Sequence, residues 1–289
     1  MTLLRVTDRT PLRSPVLVAA FDSWIDAGSA STKAAQLLAE EGTIVATLDP
    51  DELFDYRARR PTLEVRSGRP TSLEWPELSV RRATIGERDL LVLAGPEPDF
   101  RWHELASETV VLARDLAVSQ WISLGAIPAA VPHTRPVPVL GTESSPGLLR
   151  ADVRPGPAGL LRVPSAAISV LEIAAAESGI PAVGYFAQVP HYVNGAYAPA
   201  ALALLNAVSS HLGVELPLAS LIGEAQALRT RLDTATSVDE TTRDYVRRLE
   251  EMADEERLPA GDELISEIER FLRERGTGGP GGTGEGRVH

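Results

Sequence analysis

The chain has 289 residues, 44% of them hydrophobic and 24% charged, with 40 acidic against 28 basic side chains and no cysteine. That balance is close to the globular average and argues against a globally disordered chain; the absent thiols exclude a disulfide framework and a cysteine-ligated zinc site. The net charge of −12 disfavours contact with phosphate backbones, so nucleic acid is not an expected partner.

The first thirteen residues alternate charges with short apolar pairs and lack the apolar core of a signal peptide. No apolar run reaches the roughly 20 residues that span a bilayer. A cytoplasmic chain with no membrane partner is expected. Residues 16–21 (VLVAAF) form a continuous apolar run and predict a buried strand; Asp26 is a preferred N-cap for a helix over 27–41, and Gly42 ends it. Residues 43–48 (TIVATL) are the next strand. This succession predicts a β-α-β unit with a parallel pair and a right-handed crossover.

Two short runs, 62–66 and 71–75, flank Ser67-Gly68-Arg69-Pro70 and predict a hairpin. Strands over 80–84 and 89–94 follow around Gly86, then a helix over 102–116 and a buried strand over 120–127 (QWISLGAI). Residues 128–164 are rich in Pro and Gly and predict loops with short strands. A helix over 166–178, a strand over 181–189 and a helix over 200–212 complete an alternation that predicts a three-layer α/β/α sandwich for residues 1–212.

After Gly213 the strand signal stops. Three apolar stripes at helical spacing, Leu218 to Leu232, Tyr245 to Met252 and Leu264 to Leu272, predict a helical extension over 213–275. It holds 16 acidic residues against nine arginines, more than half of the chain's net charge. Residues 276–289 (GTGGPGGTGEGRVH) predict a disordered Gly-rich tail.

Polar clusters stand where strands end, the usual place for ligands in open parallel sheets. Asp22 and Asp26 follow the first strand; Asp22 is a candidate acid, base or hydroxyl ligand, or the pair holds the strand-to-helix turn as caps. Arg57, Arg59 and Arg60 beside Tyr56 suit a carboxylate or phosphate, or acids across a subunit interface. Glu97 and Arg101 are candidates to pair with each other and cap the next helix, or to form a structural turn. His133 and Arg135 sit in a loop stiffened by Pro132, Pro136 and Pro138, and His191 ends the last core strand, where it is placed to meet His133. These three are candidates for proton transfer and anion binding, or for a rigid interface. No nucleotide, hydrolase-elbow or zinc-helix motif is present, and neither a metal nor a cofactor is expected.

Taken in order, FDSWIDAG (21–28), FDYRARRP (54–61), GPEPDFRW (95–102), PHTRPVPVLGT (132–142) and VPHYV (189–193) resemble the actinobacterial branch of the PAC2, or proteasome assembly chaperone 2, family. The resemblance runs from about residue 15 to residue 275. It implies a phosphorylase/hydrolase-like α/β/α core, a C-terminal helical extension and self-association, a homotrimer in this branch; it transfers no catalytic residue. Members often carry Gly where Ser23 stands and a polar residue where Ile25 stands. Two functions are therefore expected: a non-catalytic assembly chaperone or scaffold tied to proteasome-type complexes, offering its acidic C-terminal helices to a protein partner, or a small-molecule binding protein or enzyme acting on an anionic substrate.

Overall fold

The computed structural model describes residues 2–22, 24–150, 153–157 and 159–255. Its elements are β1 (Leu4–Val6), β2 (Val16–Asp22), α1 (Ala30–Leu38), β3 (Thr43–Leu48), α2 (Pro50–Leu53), β4 (Thr62–Arg66), β5 (Arg69–Glu74), β6 (Ser79–Ile85), β7 (Arg88–Pro96), α3 (Trp102–Asp115), β8 (Gln120–Ala129), β9 (Val139–Glu143), β10 (Arg154–Pro155), α4 (Ala167–Glu177), β11 (Ala182–Pro190), α5 (Ala198–Leu212), α6 (Ala219–Val238) and α7 (Glu240–Glu255).

Nine strands form one sheet in the order β1-β3-β6-β7-β2-β8-β11-β9-β10, while β4 and β5 stand apart as a hairpin. The centre, β7-β2-β8-β11, is parallel throughout. Each central strand is apolar on both faces, which is why its sequence is a continuous hydrophobic run. Val16, Val18 and Ala20 of β2 pack into one core with α1 and α5, and Leu17, Ala19 and Phe21 pack into a second with α3 and α4. Two helical layers thus enclose the sheet, and the fold is the three-layer α/β/α sandwich.

One expectation fails. β3 is not the neighbour of β2: β6 and β7 lie between them, and β3 pairs antiparallel with β1 and β6. β7 returns beside β2 instead, with Leu90–Pro96 in register with Val16–Asp22. Local apolar runs mark a strand but carry no record of which distant strand it will pair with.

The helix predicted from residue 27 also starts later. A 3-10 turn at Ala27–Ser29 precedes α1, with Gly28 (φ 65°) and Ser29 (φ 49°) both left-handed. Tyr197 presses on Gly28 so closely that an added Cβ would lie 2.7 Å from the Tyr197 Cβ. Asp26 is therefore not the N-cap, a position held by Ser29, but its Oδ1 accepts hydrogen bonds from the Ser31 amide and hydroxyl, both at 2.7 Å.

α6 packs on α5, and α7 packs on α6. Leu221 and Ala225 of α6 are buried, as are Val246 and Leu249 of α7. The third apolar stripe, Leu264 to Leu272, and the Gly-rich tail lie outside the described residues.

Candidate functional site

The sheet parts where its polar strand ends begin. β2 pairs with β8 only over Val16–Ala19; further on, a single bridge between Asp26 and Ala126 fills the gap, with the Ala126 amide donating to the Ile25 carbonyl at 2.7 Å. β8 and β11 stay paired to Ala129 and Pro190. The eight candidate residues divide between these two regions and do not gather in one pocket.

On the β2–β7 side, Arg59 binds both carboxylate oxygens of Asp22, at 2.9 and 3.2 Å. The Glu97 amide donates to the Asp22 carbonyl at 3.1 Å. Glu97 and Arg101 do not pair. The Glu97 carboxylate accepts the Ala167 amide at 2.7 Å, at the N-terminus of α4, where a carboxylate meets an unsatisfied N–H and the positive end of the helix. Arg101, left-handed at φ 60°, instead binds Glu52 and Glu104, tying α2 to α3. Among the described residues Arg57 pairs only with the neighbouring Asp55, 3.5 Å away, and its side chain is 89% exposed.

On the β8–β11 side the candidates hold the C-terminal helices in place. The His133 ring is buried. Its Nε2 lies 3.2 Å from Asp233 Oδ1 on α6, and its Nδ1 lies 2.7 Å from the Tyr192 hydroxyl. A carboxylate only accepts, so Nε2 carries the proton; in a neutral ring Nδ1 then accepts from the Tyr192 O–H. That hydroxyl in turn accepts the His133 backbone amide at 2.8 Å. Burial sets the His133 pKa below the usual imidazole value, outweighing the opposite pull of Asp233. Burial likewise pushes the Tyr192 phenol up to about 12.

His191 does meet His133, through Tyr192: each imidazole lies edge-on to the tyrosine with ring centres 5.8 Å apart. Its Nδ1 is 3.0 Å from the Ala129 carbonyl and its Nε2 is 3.0 Å from the Tyr245 hydroxyl on α7. Arg135 forms a two-pronged pair with Asp254, at 2.9 and 2.8 Å, and reaches Glu250 at 3.1 Å. Thr134 also binds Glu250, and Arg229 donates to the Thr134 carbonyl at 2.6 Å. Residues 133–135 are therefore a latch for α6 and α7. Three of the acidic residues there, Asp233, Glu250 and Asp254, are paired with this loop of the same chain. No group of three His, Asp or Glu side chains able to hold a metal is found among the described residues.

Beside the latch lies a cleft of about 850 Å³, between the proline-rich loop, α5, α6 and the end of α7. Of the eight sequence candidates only His133 and Arg135 line it. Arg229, Gln188, Asn206 and Gln226 also line it and were not singled out from the sequence. No local motif marks them, because α5, α6 and β11 bring them together only in the fold.

The PAC2 family model matches residues 20–236. The chain belongs to the PAC2 family. Among solved PAC2-like structures, a Streptomyces avermitilis PAC2 family protein is 37% identical, covering 80% of this chain and 99% of its own, with a TM-score of 0.71. A Mycobacterium tuberculosis proteasome-assembly chaperone homologue is 33% identical over 80% of this chain and 99% of its own, TM-score 0.73. A second M. tuberculosis protein, of unknown function, is 33% identical over 88% of this chain and 91% of its own, TM-score 0.81. A comparison with curated proteins gave no match. No described helix of this PAC2 chain is long and apolar enough to cross a membrane.

Proposed function

We propose that this PAC2 protein is a non-catalytic assembly chaperone or scaffold that acts through protein–protein contacts in the cytoplasm, as a homotrimer, on proteasome-type complexes. The observation that carries the reading is the β4–β5 hairpin. It projects from the sandwich with every residue of both strands exposed. Leu63 and Leu73 stand directly opposite each other, 50% and 49% exposed, with Val65 on the same face. Glu64 and Ser72 pair on the other face, 3.0 Å apart. An isolated two-stranded ribbon is marginal in water, and an apolar ribbon face that its own protomer leaves bare is suited to another protein surface.

Further exposed aromatics stand near the hairpin's base. Trp75 contacts Tyr56 edge-on at 4.7 Å, and the Phe100 amide donates to the Leu53 carbonyl. Aromatic and arginine side chains dominate binding energy at protein interfaces; Arg57 follows Tyr56 in the chain, and Arg66 and Arg69 pair across the hairpin's tip. The M. tuberculosis relative described as a proteasome-assembly chaperone homologue supports the choice of partner. The acidic side chains of α6 and α7 that face away from the latch remain available to that partner.

The test is reconstitution. Purified α- and β-type proteasome subunits of the source organism are mixed with and without the full chain, and assembly intermediates are followed on native gels and by cross-linking. The reading expects a complex with subunits or half-assemblies and a faster approach to the full particle. Unchanged assembly, with no cross-link to either subunit, overturns it.

A further inference from the structure

The described residues lining the 850 Å³ cleft include three arginines and one histidine, and no aspartate or glutamate. The chain as a whole carries 40 acidic side chains against 28 basic ones, so a basic, acid-free lining runs against the bulk charge. The volume falls within the roughly 300–1,000 Å³ of small-molecule sites. The cleft also lies at the carboxyl end of β8, with Ala129 and Ala130 in its wall, where open α/β sheets bind ligands.

The arginines are not equivalent. Arg135 is spent on Glu250 and Asp254. Among the described residues Arg229 has only a neutral partner, the Thr134 carbonyl. Its helical neighbour one turn on, Asp233, is the natural i,i+4 carboxylate, but that carboxylate is turned to His133 at 3.2 Å. Arg229 therefore brings a cation to the cleft that no described carboxylate neutralises. A guanidinium presents paired N–H donors that match a carboxylate or phosphate.

The rest of the wall defines the body of the ligand. Val137, Val139, Leu202, Ile222 and Met252 supply aliphatic surface. Ile222 and Met252 are 49% and 51% exposed, so part of this aliphatic surface is open to a ligand. Among the described lining residues there is no Phe, Tyr or Trp, so a purine, pyrimidine or other flat ring has no stacking platform.

We propose that this cleft binds an aliphatic acid, its carboxylate or phosphate head held by Arg229 and its chain laid along Leu202, Ile222 and Met252. The site is independent of the hairpin and of any proteasome partner, so it goes beyond the chaperone reading and can fail separately from it.

Isothermal titration of the full-length protein with octanoate and octyl phosphate tests this, with octanol as the same body without charge and acetate as the head without a body. Saturable one-to-one binding of an octyl anion, absent for octanol and acetate, is expected; the stronger of the two anions identifies the head as carboxylate or phosphate. Arg229→Glu weakens that binding at least tenfold. Leu202→Trp, which fills the cleft without touching the latch, abolishes it and guards against misreading a variant whose latch has loosened. Equal binding of octanol, no saturable binding of either anion, or unchanged affinity in a folded Arg229→Glu variant overturns the assignment.

Discussion

The hydroxyl of Tyr192 and the imidazole of His133 are joined twice: the His133 backbone amide donates to the hydroxyl at 2.8 Å, and the hydroxyl lies 2.7 Å from Nδ1. The two residues are 59 positions apart in the chain. Together with Asp233 they tie the end of the sheet to α6. Tyr192→Phe keeps the ring stacking but leaves a half-buried amide and Nδ1 without a partner. Such orphaned groups cost about 1–3 kcal/mol. The lost stability should appear first as faster hydrogen exchange in α6 and α7, with the β2 and β8 amides unchanged. Uniform loss across all elements would show that the helices are not a separately held layer.

The same network gives stability a defined pH dependence. The His133 pKa lies below the usual imidazole value because burial disfavours its cation; Asp233 and Glu250 oppose this and Arg229 reinforces it. Burial also lowers His211, with Arg150 and Arg88 adding to the effect. A base whose folded pKa is depressed stays neutral in the native state while the unfolded chain takes up the proton. Its contribution is therefore complete above the unfolded value of about 6.5 and is lost as pH falls below it. Each such group contributes a slope of at most about 1.4 kcal/mol per pH unit. Asp89 acts in a separate, lower window. Burial raises its pKa, but the Arg13 amide, the Thr84 hydroxyl and Arg82 outweigh burial and hold the carboxyl below its usual range. Its contribution is present above the carboxylate value of about 3.9 and lost below it. Thermal melts from pH 8 to pH 5 should show a falling midpoint, and His133→Gln should flatten that fall. A wild-type midpoint that is level across the range would rule the buried histidines out as its source.

The layers were legible in the sequence because the central strands are buried on both faces. VLVAAF and QWISLGAI are apolar whichever way each side chain points, and their lengths and flanking glycines or prolines mark them as strands. The position of β3 was not legible, since strand order is fixed by contacts far apart along the chain. The start of α1 was displaced by Gly28, whose left-handed turn follows from the Tyr197 backbone packing against it and not from local propensity. Asp26 does not cap a helix at residue 27: α1 begins at Ala30 with Ser29 in the N-cap position, and the Asp26 carboxylate reaches the Ser31 amide five residues on. The latch was invisible for the same reason as the strand order: His133 and Asp233 are 100 residues apart, and Arg135 and Asp254 are 119 apart. The prolines around His133 and Arg135 flagged a rigid loop, and only the fold shows that its rigidity serves to seat two helices.

Gly28 makes the first of those turns indispensable. Its φ of 65° is costly for any side chain, and a methyl group there would fall 2.7 Å from the Tyr197 Cβ and 3.2 Å from the Tyr197 amide nitrogen. Both obstacles belong to the start of α5 and neither is a flexible tip. Gly28→Ala should destabilise by about 1–3 kcal/mol from backbone strain alone, with overpacking adding to it. Equilibrium urea unfolding measures the change. Gly179→Ala is the comparison, since its φ of 87° is equally left-handed but nothing lies within 4 Å of an added Cβ. If the two variants lose the same stability, the contact with Tyr197 adds nothing to the strain.

Self-association and folding are separable at the β4–β5 hairpin. Leu63 and Leu73 bury little within the protomer, being half-exposed and opposite each other on β4 and β5. Replacing both by aspartate places two like charges directly across a ribbon, which also repel each other, and it turns the apolar face into one that a partner protomer cannot desolvate cheaply. If the proposed self-association runs through this ribbon, sedimentation velocity should show the aspartate variant as a smaller species than the wild type. The melting of the sandwich measured at the same concentration should change only by the loss of assembly, because both side chains are about half exposed and neither belongs to the buried core of either layer. A charge-neutral control, Leu63→Val with Leu73→Val, should keep the larger species. Should the aspartate variant sediment as the wild type does, the exposed ribbon is not the contact between copies, and the bare apolar face would have to be assigned to a different protein surface.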